Sequence, residues 1–218
     1  MADIVAAFGV THAAVMVRTW ERASQAHRDA VRAGYDEVAR RLRAARPDVV
    51  LMVASDHFQS FFLDNMPAFC LGVGGRSVGH GDGGLPRYEL TVHEGLARGL
   101  LAGLVGAGFD LAFGRDMPLD HAFMTPVHLL FPQADLPIVP LFQNCAAPPL
   151  PSVARCLQLG SAIRTVLADI QPGLRVALIG TGGLSHAVPL LDWRGLDDDP
   201  VGRDWLAFMS AGRQGADP

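Results

Sequence analysis

The sequence predicts an α/β fold in which a mostly parallel or mixed central sheet is covered by helices on both faces. Short apolar runs typical of strands alternate along the 218 residues with longer segments whose apolar residues recur at helical spacing. The run VVLMVAS is apolar almost throughout, as expected for a strand that is buried on both faces. Half of the residues are hydrophobic and only 18% are charged, which favours a large core over disorder.

The first half of the chain begins with a predicted strand over residues 4–10. A helix that Thr19 can cap follows it and ends near Pro47. The inward positions of that helix recur every three or four residues, at Val31, Tyr35, Val38 and Leu42. The second strand covers residues 49–55, and the run PAFCLGVG predicts a third.

The second half continues the alternation after a glycine-dense loop. A helix is predicted over residues 88–105, followed by a strand at FDLAFG and another at LPIVPLFQN. Ser152 can cap the next helix, and RVALIG is the last clear strand. Because no repeat or linker interrupts the pattern, we expect a single α/β catalytic domain over residues 1–218.

Composition excludes several functional classes. The net charge of −4 and pI near 6.0 provide no basic surface for nucleic acid. No apolar run reaches the roughly 20 residues of a membrane span, and the N-terminus lacks the basic flank of a signal peptide, so a cytoplasmic protein is expected. The chain has no lysine, which excludes Schiff-base chemistry and a P-loop. Its three cysteines lack CxxC spacing and are predicted to be buried, reduced thiols.

The glycine-dense loop, GVGGRSVGHGDGG at residues 72–84, matches no nucleotide-binding motif. Ser77 occupies the place of the third glycine of a GxGxxG pattern counted from Gly72. A mobile lid or an irregular crossing is therefore predicted there.

Four histidines follow four of the apolar runs, namely His12, His57, His121 and His186. Ligands of open α/β sheets bind beyond the carboxyl ends of parallel strands, where side chains distant in sequence meet. We therefore predict one site at these strand ends that combines metal ligands with proton carriers. The spacing around His121 and His186 does not fit the nucleophile elbow of a serine hydrolase.

The remaining histidines and two aspartates have less specific roles in the sequence. Structural positions are predicted for His93 and His128, and a solvated helix face for His27, whereas the role of His80 stays open. Asp56 and Asp120 each precede a site histidine. Each of the two can orient an imidazole of the site or cap the turn that follows, and the sequence leaves both alternatives open.

Several ordered motifs resemble the class III extradiol ring-cleaving dioxygenases. They are SDHFQSFFLDNMPAFCLGVGG, DHAFMTPVHLLFP, LPIVPLFQNCAAPPLPSVARCLQLGSAI and GTGGLSHA, and the likeness extends from the first strand to about residue 187. The resemblance implies an Fe(II) enzyme that opens a catechol ring with O2, and a homo-oligomer. It implies His12 and His57 as iron ligands, and His121 and His186 as the acid and base beside the catechol. Chelation by a cation lowers the pKa of the catechol hydroxyls, and a histidine can take the remaining proton.

One feature of that family is missing from the sequence. Its third iron ligand is a glutamate well beyond the position of His186, and no acidic residue stands in a comparable motif before Pro218. The third ligand is therefore unknown. The chain is a C-terminally truncated form, or another chain supplies the ligand, or two histidines and solvent hold the metal. Two alternative functions stay open here: an inactive binding or assembly subunit with the same fold, and a zinc-type hydrolase.

Overall fold

A computed structural model describes residues 2–183, which form a six-stranded mixed sheet and a separate two-stranded hairpin. The strands are β1 Asp3–Val10, β2 Val49–Ala54, β3 Phe69–Gly72, β4 Arg76–Val78, β5 Glu89–Thr91, β6 Ala112–Gly114, β7 Ile138–Gln143 and β8 Arg175–Thr181. The α-helices are α1 Val15–Arg18, α2 Gln25–Ala45, α3 Glu94–Gly106, α4 His121–Leu130 and α5 Val153–Asp169. The predicted fold class is confirmed.

Strand order explains why helices cover both faces of the large sheet. The order is β1-β8-β2-β7-β3-β6, and the first four of these strands run parallel. Helix α2 connects β1 to β2 in one direction across the sheet, and α5 connects β7 back to β8 in the other direction. Right-handed crossovers between these parallel strands therefore put α2 on one face and α5 on the other. In agreement, α2 packs against α4, and α3 packs against α5.

The middle strands form the centre of the core. Every residue of β2 except Val53 is buried, and so is every residue of β7 except Gln143. The run VVLMVAS is thus buried on both faces, as its lack of alternation predicted. β1 and β6 form the two edges and are far more exposed.

Helix α2 ends where the sequence predicts and begins later. Ser24 caps it by accepting a hydrogen bond from the backbone N–H of His27, whereas Thr19 precedes a short 3-10 turn. The helix ends at Ala45, two residues before Pro47. None of the helices within residues 2–183 is long and apolar enough to cross a membrane.

The predicted helix over residues 88–105 is wrong in its first part. Its beginning is strand β5, which pairs with β4, and the helix starts only after His93 accepts a hydrogen bond from the N–H of Leu96. Leu90 is buried between exposed Glu89 and Thr91, so the local pattern has the two-residue period of a strand. The capping role of His93 is structural, as predicted.

The glycine-dense loop contains regular structure, and the cysteines are not all buried. Residues 72–84 include β4 and a 3-10 turn, Asp82–Gly84, that packs against α1. The predicted irregular crossing is therefore partly regular, and a mobile lid stays a prediction. None of the three cysteines forms a disulfide. Cys70 is buried, but Cys145 is exposed, so the prediction of buried thiols fails there.

Candidate functional site

His12 is a buried histidine, 5% exposed, that follows β1 and is held by the last residue of the neighbouring strand β8. Its Nδ1 lies 2.9 Å from Oγ1 of Thr181, and the same hydroxyl donates to the carbonyl oxygen of Ala122 at 2.9 Å. A hydroxyl has a single proton, so Thr181 accepts from the Nδ1–H of His12. Nε2 then carries the lone pair of the neutral imidazole, which is the form that binds metal.

His57 follows β2 and is held by a carboxylate. Oδ2 of Asp120 accepts from both the ring Nδ1 and the backbone N–H of His57, each at 2.8 Å. The Asp120 side chain is completely buried, and its Oδ1 caps helix α4 by accepting from the N–H of Ala122 at 2.9 Å. Asp120 thus makes both contacts that the sequence left open, and His57 also has its proton on Nδ1.

Asp56 makes the capping contacts that the sequence allowed. Its two oxygens accept from the backbone N–H groups of Gln59, Ser60 and Phe61 at 3.0–3.2 Å. Burial, and after it the negative charge of Asp120, raises the pKa of Asp56 to about 7, although the three N–H donors lower it. The carboxyl therefore holds the turn after β2 and stands beside the site as a weak acid.

His121 is the first residue of α4, and a residue of the glycine-dense loop holds it. Oδ2 of Asp82 lies 2.5 Å from its Nδ1 and 3.2 Å from its backbone N. Burial lowers the pKa of His121, but the hydrogen bond that its Nδ1–H donates to Asp82 and the charges of Asp120, Asp82 and Asp56 outweigh burial and raise it above the usual 6.5. His121 is therefore more basic than an ordinary histidine.

His121 does not reach the site in the way that the sequence suggested. Strand β3 is antiparallel to β7, and β6 is parallel to β3. Strand β6 therefore runs opposite to β1 and β2, and its carboxyl end lies away from theirs. Residues 115–120 run back along the hairpin, where Leu119 bonds to the backbone of Val78 and His80. The N-terminus of α4 then presents His121.

The three predicted site histidines that the structure describes lie together, but their rings are arranged differently. His12 and His57 have ring centres 5.2 Å apart and planes nearly perpendicular at 86°. Two imidazoles that bind one ion through nitrogens at about 2.0–2.1 Å have ring centres roughly 5 Å apart. His121 is stacked on His57, with centres 4.2 Å apart and planes 25° apart. Each lone pair lies in its ring plane, so stacked rings do not aim at one point.

A second grouping of donors competes with that pair. Ligand atoms of His57, Asp120 and His121 lie within 4.8 Å of one another. Both oxygens of Asp120 already accept hydrogen bonds, and the stacked rings disfavour a shared ion. The ring geometry therefore favours His12 and His57 as the ligand pair, with His121 beside them.

The sequence did not indicate two residues of this cluster, Thr181 and Asp82. It also predicted one site residue that the structure does not describe. Thr181 and Asp82 hold His12 and His121, but neither was a candidate. The acidic residue of GHGDGG was the available signal for Asp82, because glycines flank it closely. His186 lies outside the described residues.

Comparisons with known proteins give a consistent picture. Residues 6–198 match a family model described as the catalytic LigB subunit of aromatic ring-opening dioxygenase. A 2,3-dihydroxyphenylpropionate/2,3-dihydroxicinnamic acid 1,2-dioxygenase of Photorhabdus laumondii is 39% identical over 73% of this chain and 50% of its own length. A Pseudomonas putida enzyme of that description is 37% identical over 82% of this chain and 57% of its own. The chain thus spans about half the length of the curated relatives it matches.

A solved structure resembles the fold alone. It is the crystal structure of an uncharacterized Escherichia coli K12 protein, with a TM-score of 0.50 and 16% sequence identity over 86% of this chain and 67% of the other.

Proposed function

Because the chain belongs to the LigB family of aromatic ring-opening dioxygenases, we propose that it acts as an Fe(II)-dependent extradiol dioxygenase on a catechol-type substrate. The observation that carries the proposal is the arrangement of three histidines, each donating from Nδ1 to a protein oxygen. That shared tautomer keeps a lone pair on every Nε2. A homo-oligomer and a cytoplasmic location stay predictions.

The donor set fits a divalent iron in this proposal. His12 and His57 would hold it, since their rings have the separation of two nitrogen ligands on one ion. Bound Fe(II) would supply a Lewis acid with open positions for the catechol hydroxyls and O2. Neither Asp56 nor Asp120 is assigned as the third ligand, because the oxygens of both accept backbone or histidine N–H groups.

The other residues hold and move protons. His121 would exchange a proton with the substrate at Nε2 while Nδ1 stays bound to Asp82. We keep His186 as the second proton carrier, with the base role, and His121 as the donor during ring opening. Asp120 fixes the ring of His57 and caps the helix that presents His121, so one carboxylate aligns ligand and proton carrier. Both atoms of O2 enter the product, so no further reductant is required.

Four histidine variants test these roles. His12→Ala and His57→Ala should lose at least 10-fold in Fe(II) affinity, because each removes a ligand. His121→Ala and His186→Ala should keep the metal and lose about 10²-fold or more in turnover. Anaerobic Fe(II) titration measures the first effect, and the yellow ring-opened product with O2 uptake measures the second.

His27→Ala is the matched control, since His27 is exposed on α2 and should change neither quantity. Equal metal retention in all four site variants would defeat the division into ligands and proton carriers. Absence of product from full-length, Fe(II)-loaded protein over a panel of catechols would defeat the proposed activity.

A further inference from the structure

We infer that Asp82 is a positioning residue that fixes His121 in the tautomer with its proton on Nδ1. The inference deepens the proposed function and rests on it for the catalytic meaning of His121. Its structural content is independent, because the tautomer of a histidine is measurable without turnover. No motif pointed to Asp82, which stands in a loop that resembles a flexible connection.

The contacts of Asp82 are directed at one partner. Within residues 2–183, both side-chain hydrogen bonds of Asp82 go to His121, one to ring Nδ1 at 2.5 Å and one to the backbone N at 3.2 Å. A single oxygen, Oδ2, makes both bonds, so the ring is fixed relative to the first turn of α4. A carboxylate accepts and does not donate, which places the proton of the neutral imidazole on Nδ1.

The backbone around Asp82 is shaped to bring it to that position. Gly81, Gly83 and Gly84 have φ values of +84°, +64° and +83°, a region that residues with a side chain rarely adopt. A Cβ on Gly83 would lie 2.8 Å from Cβ of Ala14 and 3.6 Å from Cβ of His121. The turn is therefore wedged between the segment after His12 and the start of α4.

This arrangement has a chemical consequence for His121. With Nδ1 committed to Asp82, Nε2 is the ring nitrogen that exchanges protons with a substrate. Without Asp82, the ring is able to rotate about its side-chain bonds and to take the other tautomer. Asp82 thus acts through His121, and its loss should reduce turnover more than substrate binding.

Long-range ¹H–¹⁵N NMR of the apo protein tests the inference directly. The His121 signals are identified as those missing from a His121→Gln variant. At alkaline pH, where the His121 ring is neutral, wild type should have the proton on Nδ1 of His121, and Asp82→Asn should populate the Nε2–H tautomer, since an amide both accepts and donates. In the loaded enzyme, Asp82→Asn should lower kcat by about 10- to 100-fold and change KM less than threefold.

Asp48→Asn is the matched control, because Asp48 accepts the backbone N–H of Arg175 at the start of β8, at the other end of the strands. It should leave the His121 tautomer unchanged. A wild-type Nε2–H tautomer, or an unchanged tautomer in Asp82→Asn, would overturn the inference. If Asp82→Asn does not fold, the wild-type tautomer alone decides. A confirmed tautomer in an inactive wild type would refute the proposed function while leaving the positioning by Asp82 intact.

Discussion

Three site histidines use the same ring nitrogen but three different acceptors. His12 donates to the hydroxyl of Thr181, His57 to the buried carboxylate of Asp120, and His121 to the partly exposed carboxylate of Asp82. A neutral hydroxyl orients a ring without making it much more basic, whereas a carboxylate does both. The difference favours His12 as a plain ligand and His121 as a proton carrier.

Thr181→Val should weaken metal binding by about 10- to 100-fold, because it removes the hydroxyl that accepts from Nδ1–H of His12 and sets its tautomer. Thr181→Ser keeps the hydroxyl and should bind metal within about threefold of wild type. Anaerobic Fe(II) titration measures both affinities.

A control for lost hydroxyls is Thr165→Val, since the hydroxyl of Thr165 donates within helix α5 to the carbonyl of Ser161. It should bind metal as wild type does. Equal affinities for Thr181→Val and Thr181→Ser would mean that the hydroxyl does not govern the ligand state of His12.

Residue types that carry chemistry are visible in a sequence, but their hydrogen-bond partners are not. His12 and His57 could be selected because each follows an apolar run that is a genuine parallel strand. Thr181 and Asp82 could not, because their roles depend on β8 lying beside β1 and on the turn packing against α1. Those contacts join residues that are far apart in the chain.

At the scale of elements, the start of α4 and the turn Asp82–Gly84 together fix the position of His121. Asp120 caps the helix and holds His57, while the turn inserts Asp82 against the first helical residue. The sequence predicted a mobile lid or an irregular crossing in this glycine-dense region. Here Gly83 allows the backbone of the turn to lie close to Ala14 and His121, because it has no Cβ.

Gly83→Ala should destabilise the protein by about 1–3 kcal/mol, because a residue with a side chain is strained at φ +64° and the new Cβ would meet Cβ of Ala14 at 2.8 Å. Urea unfolding of the metal-free protein measures the change. The same variant should move the turn away from His121 and lower turnover.

Gly34→Ala is the contrasting variant, since Gly34 lies in the middle of α2 and a Cβ there meets nothing within 4 Å. It should stabilise the protein by about 0.5–1 kcal/mol through helix propensity. If both alanine variants had the same effect, the tight packing of the turn would not matter for stability.

At the scale of the whole molecule, the alternation of strands and helices could be predicted, but the reversal of β3 and β6 could not. The spacing of apolar residues and the capping residues are local properties of the sequence. They predicted the positions of β2, β7 and α5 to within about two residues. Strand direction is decided by which neighbours a strand meets after folding, and β3 pairs antiparallel with β7. That reversal is why His121 reaches the site from a helix start rather than from a strand end.

Global stability should depend on pH through the contact between Asp82 and His121. Burial raises the pKa of Asp82, but the hydrogen bond from His121 outweighs it, so the pKa falls below the usual 3.8. The raised pKa of His121 adds stability that is complete below about 6.5 and is lost as the pH rises through the raised value. The lowered pKa of Asp82 adds stability above about 3.8, lost as the pH falls through the lowered value.

Asp82→Asn should therefore cost most stability between about pH 4 and pH 6.5, where both partners are charged in the folded protein. A hydrogen bond between charged groups contributes about 1.5–3 kcal/mol, so the difference in free energy of unfolding should approach that size and shrink at pH 9. Urea titrations with a metal chelator across pH 3–9 measure it. Asp48→Asn, whose carboxylate meets a backbone N–H instead of a histidine, should show no such decline at alkaline pH. If the difference in free energy of unfolding between wild type and Asp82→Asn is as large at pH 9, the charge of His121 contributes nothing to the contact. Asp82 would then stabilise the protein through its hydrogen bond to a neutral imidazole.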